Sequence, residues 1–174
     1  ATFRRQVREQ FLFSLSTASS NATIPVTMRT LTDKIGVSKT VAGFGVPLGA
    51  TMNMSGVSIY ISIATVFAAN AYGTPLQVTD MFTMGLTILL LSVGAGGVPG
   101  GGIVMIGVLL TQLGLPVEAL AIIAAVDRIN DMFCTSANVI GDTAVNTIVA
   151  KSEGELNLEI AHGSEDTNTV AKTA

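Results

Sequence analysis

Two long runs without a charged residue dominate the middle of this 174-residue chain. The first extends over residues 40–79 and the second over residues 81–117, and Asp80 alone separates them. Only 12% of the residues are charged, whereas soluble domains carry about 25%. Uncharged runs of this length are typical of membrane-spanning segments, so the sequence predicts an integral membrane protein that contacts the lipid bilayer.

A cluster of glycines interrupts the second run. The stretch "SVGAGGVPGGG", residues 92–102, consists mainly of glycine with one proline, the two residues that disfavour helix most. The flanking segments, Met81–Leu91 and Ile103–Leu113, each supply about 11 apolar residues, roughly half of what a membrane-crossing helix needs. Two half-length helices joined by a glycine tip predict a re-entrant hairpin, which enters and leaves the membrane on the same side.

The first half of the chain follows a similar plan. Residues 5–35 predict another re-entrant hairpin, with the polar stretch "STASSNATIP" at residues 16–25 as its tip. Residues 40–72 are long enough to cross the membrane, but "NMSG" at residues 53–56 breaks them. This half therefore predicts a hairpin followed by a broken transmembrane helix.

The second half repeats this order with inverted topology. The glycine hairpin covers about residues 80–113, and residues 118–151 predict a long last helix with polar positions. The predicted fold is an all-α integral membrane protein with two re-entrant hairpins and two broken transmembrane helices in an inverted repeat. Residues 1–151 form this core, and residues 152–174 predict a polar, disordered cytoplasmic tail.

The basic residues test this topology independently. In the predicted arrangement the loops near residues 73–80 and 114–118 lie on one side and carry only Asp80 and Glu118. Of the nine lysines and arginines, Arg128 lies inside the predicted last helix, away from both of its ends. The others fall on the opposite side, which the positive-inside rule makes cytoplasmic. They are Arg4, Arg5, Arg8, Arg29, Lys34, Lys39, Lys151 and Lys172.

The last helix carries a stripe of polar residues. At 100° per residue, four of them lie within roughly a 60° arc, with Asp127 and Asn146 near its edges: Asp131, Thr135, Asn138 and Asp142. Carboxylates inside a membrane are costly and usually mark an ion or substrate pathway. Oxygen ligands of this kind suit Na⁺, with Asn53 and carbonyl groups of the glycine tip as further ligands. The alternative is that Asp127, Arg128 and Asp131 pair with one another.

Other classes of function receive little support. The only histidine, His162, lies in the predicted tail, so the chain lacks a nucleophile, histidine and acid set and we expect no enzyme. It has no basic patch and no Trp, so we expect no nucleic-acid partner. Its single cysteine, Cys134, excludes an internal disulfide. Broken helices that meet within the membrane favour a secondary transporter, and an ion channel is the alternative.

Four motifs together resemble the dicarboxylate/amino acid:cation symporter family. In the order of that family they are "STASSNATIPVTMR", "VPLGATMNMSG", "SVGAGGVPGGG" and "DMFCTSANVIGDTAVNTIVAK", which lie within about residues 10–153. The resemblance implies the transport core of an elevator-type, Na⁺-coupled carrier, with H⁺ as the alternative coupling ion. It also implies a multi-pass protein of the cell membrane. The family assembles as a homotrimer through scaffold helices that are absent from this chain.

The resemblance also implies binding residues. Ser20 and the backbone of Val98–Gly102 hold the substrate's α-carboxylate and amino group, and Asp131 pairs with the amino group. Thr135 and Asn138 complete this pocket. One sodium ion takes oxygen ligands from Gly49, Asn53, Asn138 and Asp142, and another takes carbonyl ligands from Thr51, Ser92, Val93 and Ala95.

Three positions depart from the family pattern. Members that carry acidic substrates have Arg at the position of Cys134 and Thr at that of Val57. Without that bidentate donor, the resemblance implies a small neutral amino acid, and Cys134 and Val57 join the predicted substrate site. A dicarboxylate or acidic amino acid with Arg128 as counter-charge is the alternative. Ser55 replaces an aspartate of the family, which leaves the ion stoichiometry open.

Overall fold

The structure, a computed structural model, describes residues 2–94 and 96–162. Within these residues the chain is helical apart from turns and one isolated antiparallel bridge between Val37 and Leu156. The helices are α1 (Thr2–Gln6), α2 (Arg8–Thr17), α3 (Ser20–Arg29), α4 (Lys39–Met52), α5 (Ser55–Ala71), α6 (Val78–Gly94), α7 (Gly101–Gln112), α8 (Ala119–Ser152) and α9 (Leu158–His162). A π-helical segment, Thr30–Ile35, continues α3.

Helices α2 and α3 form the first helical pair, joined by a tight turn. Ala18 adopts a left-handed conformation with φ of 50°, and Ser19 caps α3 by accepting a hydrogen bond from the Ala22 amide at 3.1 Å. With Ser19 as its cap, α3 begins at Ser20, so Pro25, which the sequence placed in the tip, lies within the helix. The turn is therefore shorter than the predicted tip at residues 16–25.

Helices α4 and α5 are separated by Asn53 and Met54. The main-chain amide of Asn53 still donates to the Gly49 carbonyl at 2.9 Å, as in a helix. The main-chain amide of Met54 donates to the Met52 carbonyl instead, so the helical hydrogen bonding stops there. Together the two helices, Lys39–Ala71, are long and apolar enough to cross a membrane. Among the described helices no other meets this criterion, although α8 has 34 residues, since its polar stripe lowers its hydropathy.

Helices α6 and α7 form the second pair, and glycines shape their connection. Gly96 and Gly100 have φ of 66° and 79°, values that residues with a side chain rarely adopt. The two helices have 17 and 12 residues, and both are apolar but too short for the spanning criterion. The glycine run thus forms the tip of a helical pair.

Helix α8 is continuous over 34 residues, so the prediction of a second broken transmembrane helix is wrong. It lies at the centre of the molecule and contacts α2, α3, α4, α5 and α7. Two hydrophobic clusters flank it. One joins α5, α6 and α7 through residues that include Ile61, Ile106 and Leu109, and the other includes Leu31 and Val46 on the side of the first helical pair. These clusters hold both helical pairs against α8, and they place both tips beside its polar stripe.

Large apolar side chains cover much of the outer surface. Val78, Phe82 and Phe44 are 83%, 80% and 73% exposed, and many other aliphatic residues of α5, α6 and α8 also face outwards. Contiguous apolar surface of this kind marks a membrane or protein contact. It agrees with the integral membrane protein that the uncharged runs predict.

The segment after α8 departs from the prediction of a disordered tail at residues 152–174. The Ser38 amide donates to the Glu155 carbonyl at 3.0 Å, and the Asn157 amide donates to the Gly36 carbonyl at 2.8 Å. These bonds and the bridge of Leu156 to Val37 fix the start of this segment against the end of the first pair. The rest of the predicted tail, residues 163–174, lies outside the described residues.

Candidate functional site

The polar stripe of α8 is buried. Asp131, Thr135, Asn138 and Asp142 are 7%, 5%, 2% and 4% exposed, and Asn146 continues the stripe at 5%. The prediction that these residues share one helix face is therefore confirmed. Their burial against other helices means that any ion or substrate would bind between α8 and the elements packed on it.

One end of the stripe borders a small closed cavity of about 10 Å³, close to the minimum that holds one water molecule. It lies where the two tips and the α4–α5 break approach α8. It brings together seven of the eight predicted substrate residues, namely Ser20, Val57, Val98, Gly102, Asp131, Thr135 and Asn138. Met54, Gly96 and Gly97, which the sequence did not single out, complete its lining.

The two tips touch each other at this cavity. The Gly97 carbonyl accepts hydrogen bonds from the Ser19 hydroxyl at 2.6 Å and from the main-chain amide of Asn21 at 3.1 Å. A Cβ atom at Gly97 would lie only 2.7 Å from the Ala50 carbonyl oxygen, so only glycine allows this approach. The tip contact therefore lies at the wall of the cavity, which Gly97 lines.

The groups around the cavity can recognise an amino acid. The Asp131 carboxylate accepts a hydrogen bond from the Gly100 amide at 2.9 Å. Helices α3 and α7 both begin at the cavity, with Ser20 and Gly101 as their first residues, and helix N-termini attract carboxylates. One buried acid and two helix N-termini thus match an amino group and an α-carboxylate.

A second set of oxygen atoms surrounds Asp142. The Asn53 side-chain amide donates to the Asp142 carboxylate at 2.8 Å and to the Asn138 carbonyl at 3.2 Å. A Cβ atom at Gly49 would lie 2.5 Å from Asp142 Cγ, so the carboxylate packs directly on the α4 backbone. The structure therefore brings together Gly49, Asn53, Asn138 and Asp142, the residues predicted for one sodium ion. Within the described residues no basic side chain pairs with Asp142.

Comparisons with known proteins identify the family of this chain. The family model described as "Sodium:dicarboxylate symporter family" matches residues 1–152. The chain belongs to the sodium:dicarboxylate symporter family. It is thus part of a multi-pass protein of the cell membrane, and its family is one of sodium-coupled transport proteins.

Curated relatives within the symporter family cover most of the chain. The chain is 36% identical to mouse excitatory amino acid transporter 2 over 99% of its length. It is 41% identical to an excitatory amino acid transporter of Caenorhabditis elegans over 80%, and 39% identical to human excitatory amino acid transporter 2 over 82%. It spans only 30%, 28% and 25% of these relatives, respectively.

The second sodium site that the resemblance implies would use main-chain carbonyl groups of Thr51, Ser92, Val93 and Ala95. Helix α4, which carries Thr51, contacts α6, which carries Ser92 and Val93. Ser92 is buried, Val93 is 46% exposed, and Ala95 lies outside the described residues.

Cys134, the eighth predicted substrate residue, does not line the closed cavity. It lies in an apolar groove of about 460 Å³ between α5 and α8, together with Tyr60 and Phe133. Gly56 packs against it so closely that a Cβ atom there would lie 2.8 Å from the Cys134 carbonyl oxygen. Gly56 at the start of α5 thus packs on the main chain of Cys134.

The charged residues at the beginning of the stripe do not pair with one another. Asp127 accepts a hydrogen bond from the Tyr60 hydroxyl at 2.9 Å, while Asp131 binds the Gly100 amide. Arg128 is exposed and forms no ion pair with the described residues. No ion pair joins Asp127, Arg128 and Asp131 among the described residues, although Arg128 lies near enough to Asp131 for their charges to attract.

A polar network next to the site was missed by the sequence reasoning. Gln10 of α2 is fully buried, and its amide donates to the hydroxyls of Thr27 at 3.0 Å and Thr143 at 2.7 Å. The Ser14 hydroxyl donates to that of Ser136 at 3.2 Å. These bonds tie the first helical pair to α8. The sequence feature that could have indicated this network is the pair Gln10 and Ser14, two polar residues four positions apart on one face of α2.

Proposed function

We propose that the full protein is a secondary active transporter that couples Na⁺ entry to the uptake of a small neutral amino acid. This chain is its transport core, with α2–α3 and α6–α7 as re-entrant hairpins. The interrupted pair α4–α5 and the continuous, polar helix α8 cross the membrane. The core moves against scaffold helices of the same protein in an elevator mechanism, within the trimer that the family resemblance implies. The coupling ion is Na⁺ rather than H⁺.

The observation that carries the proposal is the double role of Asn138. Its side-chain oxygen accepts a hydrogen bond from the Gly56 amide at 2.7 Å and lies at the cavity, while its main-chain carbonyl faces Asn53 beside Asp142. One residue therefore belongs to both the substrate cavity and the sodium site. Occupation of one site would fix the α4–α5 break in the geometry that the other requires, which is the basis of coupling.

The buried acid supports Na⁺ as the coupling ion. Asp142 is 4% exposed, and the side-chain amide of Asn53 is its only hydrogen-bonding partner outside α8 among the described residues. A buried carboxylate without a cationic partner is unfavourable in a membrane protein. Sodium would provide the counter-charge, and the carboxylate and carbonyl oxygens there are ligands that suit a hard cation.

The closed cavity supports a gate. At about 10 Å³ it is smaller than an amino acid, so substrate entry requires the α6–α7 tip to leave α3 and α4. Among the described residues, two hydrogen bonds join the two tips, and both go to the Gly97 carbonyl. Glycines at the tip keep the backbone free to rearrange.

The lining of the cavity supports a neutral substrate. Of the described residues that line it, none is basic, and Val57 offers no hydroxyl. Arg128 is exposed rather than directed into the cavity. An acidic side chain on the substrate would therefore lie beside Asp131 without a counter-charge, and like charges at close range are repulsive.

Uptake by the full-length protein in proteoliposomes tests this proposal. We expect sodium-dependent, saturable uptake of labelled serine, threonine or alanine, with weak competition by aspartate. We expect Cys134→Arg to shift the preference towards aspartate by bringing a bidentate donor next to the site. Cys134→Ser, which retains a small side chain, is the matched control. Aspartate uptake that outcompetes serine and alanine in the unaltered protein would overturn the neutral substrate.

The second candidate is a carrier of dicarboxylates or acidic amino acids. The names of the family and of its curated relatives favour it, since these are a sodium:dicarboxylate family and excitatory amino acid transporters. In this case Arg128 would be the counter-charge, and Arg128→Ala would abolish dicarboxylate uptake. An ion channel would instead give conductance without saturable, sodium-dependent uptake.

A further inference from the structure

A groove with a basic lining, which we call the basic groove, lies beside the beginning of the first helical pair. It encloses about 780 Å³, and its lining includes Arg4, Arg5 and Arg8 as well as the apolar side chains of Phe11 and Ile140. The arginines are exposed, and none of the described residues that line the groove is acidic. The basic groove is therefore a concave surface with a cationic part and an apolar part.

The two parts follow one another along one helix face. The main-chain amide of Val7 donates to the Phe3 carbonyl and that of Phe11 to the Val7 carbonyl, so helical hydrogen bonding continues from α1 into α2. At 100° per residue, Arg4, Arg8 and Phe11 lie within about 60° of one another. At 1.5 Å per residue, Phe11 lies about 5 Å beyond Arg8 along the helix axis.

This order of residues indicates a boundary between water and lipid. The three residues that follow Gln10 are apolar and exposed, since Phe11, Leu12 and Phe13 are 37%, 51% and 39% exposed. Because the chain is part of a multi-pass membrane protein, the step from arginine to exposed apolar residues favours a position of the groove at the membrane surface. The distribution of basic residues predicts that this surface is the cytoplasmic one, which attracts cations because its leaflet contains anionic lipids.

The acidic residue of α2 does not neutralise the basic groove. Glu9 is the only acid in α1 and α2, and its two carboxylate oxygens accept hydrogen bonds from Arg29 at 2.5 Å and from Lys34 at 2.7 Å. These partners belong to α3 and the π-helical segment rather than to the groove. The basic groove thus keeps an excess of positive charge.

We propose that the basic groove binds an anionic phospholipid, with the lipid phosphate on Arg4 and Arg8 and the beginning of the acyl chains against Phe11. Guanidinium groups bind phosphate oxygens through paired hydrogen bonds. The aromatic side chain next to them supplies an apolar contact that suits a lipid and not a free phosphate. Since no acidic side chain among the described residues lines the groove, it offers no partner to the amine of a zwitterionic headgroup.

Lipid titration of the purified full-length protein in detergent tests this proposal. A fluorescently labelled phosphatidylglycerol reports the apparent Kd, and the probes for comparison are phosphatidylcholine with the same label and inorganic phosphate. We expect phosphatidylglycerol to bind about tenfold or more tightly than phosphatidylcholine, because only the first carries a net charge. An excess of inorganic phosphate should leave most of the bound phosphatidylglycerol in place.

Paired charge substitutions locate the cationic part. Arg4→Gln combined with Arg8→Gln should raise the Kd for phosphatidylglycerol about tenfold or more, since each basic residue near an anionic lipid surface contributes about a factor of five. Lys39→Gln combined with Lys151→Gln is the matched control. It also removes two exposed charges from the predicted cytoplasmic side, but neither lysine lines the groove, so the Kd should stay constant.

The apolar part has a separate test. Phe11→Ala should raise the Kd about threefold or more, whereas Phe13→Ala, which changes a similarly exposed residue outside the groove, should not. The proposal is overturned if both lipids bind alike, if inorganic phosphate displaces the lipid, or if a control variant weakens binding as much as its groove counterpart. It is also overturned if the groove variants fold, as thermal unfolding reports, and still bind like the unaltered protein. No readout here involves transport, so the proposed function can fail separately.

Discussion

A single methyl group at Gly49 should disrupt the proposed sodium site. Gly49 lies where α4 crosses α8, and a Cβ atom there would lie 2.5 Å from Asp142 Cγ. Ordinary contacts of a Cβ atom begin at 3.4 Å, so Gly49→Ala requires the carboxylate or the α4 backbone to move by about 1 Å. Gly43, on the same helix, has nothing within 4 Å of its Cβ position and provides the matched control.

The expected loss of sodium affinity in Gly49→Ala follows from this displacement. Metal ligands are held within roughly 0.2 Å of their ideal distances, so a shift of about 1 Å removes Asp142 from the first coordination shell of an ion. Overpacking a well-packed interface costs about 1–3 kcal/mol. At 1.4 kcal/mol per factor of ten, we expect sodium affinity to fall roughly tenfold or more in Gly49→Ala. Gly43→Ala should leave it unchanged and raise stability by about 0.5–1 kcal/mol.

The assay is uptake of the accepted amino acid by full-length protein in proteoliposomes, measured across a series of sodium concentrations. The concentration for half-maximal uptake should rise in Gly49→Ala and stay constant in Gly43→Ala, while thermal unfolding reports whether each variant is folded. A folded Gly49→Ala protein with unchanged sodium activation would refute the assignment of Asp142 to the ion.

Three further substitutions test neighbouring contacts. Asp142→Asn keeps the shape of the side chain but removes its charge, so sodium activation should weaken at least tenfold; unchanged activation counts against the site. Ser19→Ala removes both the cap of α3 and the bond to the Gly97 carbonyl, so half-maximal uptake should need about tenfold more substrate. Equal affinity would mean that this contact does not hold the gate. Gln10→Leu removes the donors to Thr143 and Thr27, and should cost about 1–2 kcal/mol in thermal unfolding; a neutral result would contradict a structural role.

The polar stripe was predictable because an α-helix repeats rigidly. Once residues 118–151 form one helix, the spacing of Asp131, Thr135, Asn138 and Asp142 fixes their common direction, and polar groups in a membrane protein turn inwards. The break at Asn53 was predictable for a similar local reason, since a polar residue and a glycine interrupt an apolar run. Both are features that short stretches of sequence determine.

The position of Cys134 could not be predicted from spacing. On a helical wheel it lies within about 60° of both Asp131 and Asn138, so periodicity places it next to the cavity. The structure places it in the neighbouring apolar groove, and the glycine at position 56 of α5 lies directly on the Cys134 backbone. This contact depends on how two distant helices cross, which the local pattern of either helix does not determine.

The contacts of the segment after α8 could not be predicted from its local sequence either. Its sequence is polar and has no period, which is typical of a mobile tail, but Asn157 and Leu156 bind the turn at Gly36 and Val37. The turn offers free backbone groups because Gly36 ends the π-helical segment with a φ of 87°. Backbone pairing between segments so far apart leaves no signal in the side chains.

Close packing of glycine against polar side chains explains how this chain keeps buried acids between helices. Gly45 and Gly49 are one helical turn apart on α4, and they face Asn146 and Asp142, which are one turn apart on α8. A Cβ atom at Gly45 would lie 2.8 Å from Asn146 Cγ, so both glycines are needed for the crossing. The missing side chains bring the α4 backbone to the polar groups of α8. Backbone oxygens can then bind an ion together with Asp142, and this arrangement needs no basic residue that would compete with sodium for the carboxylate.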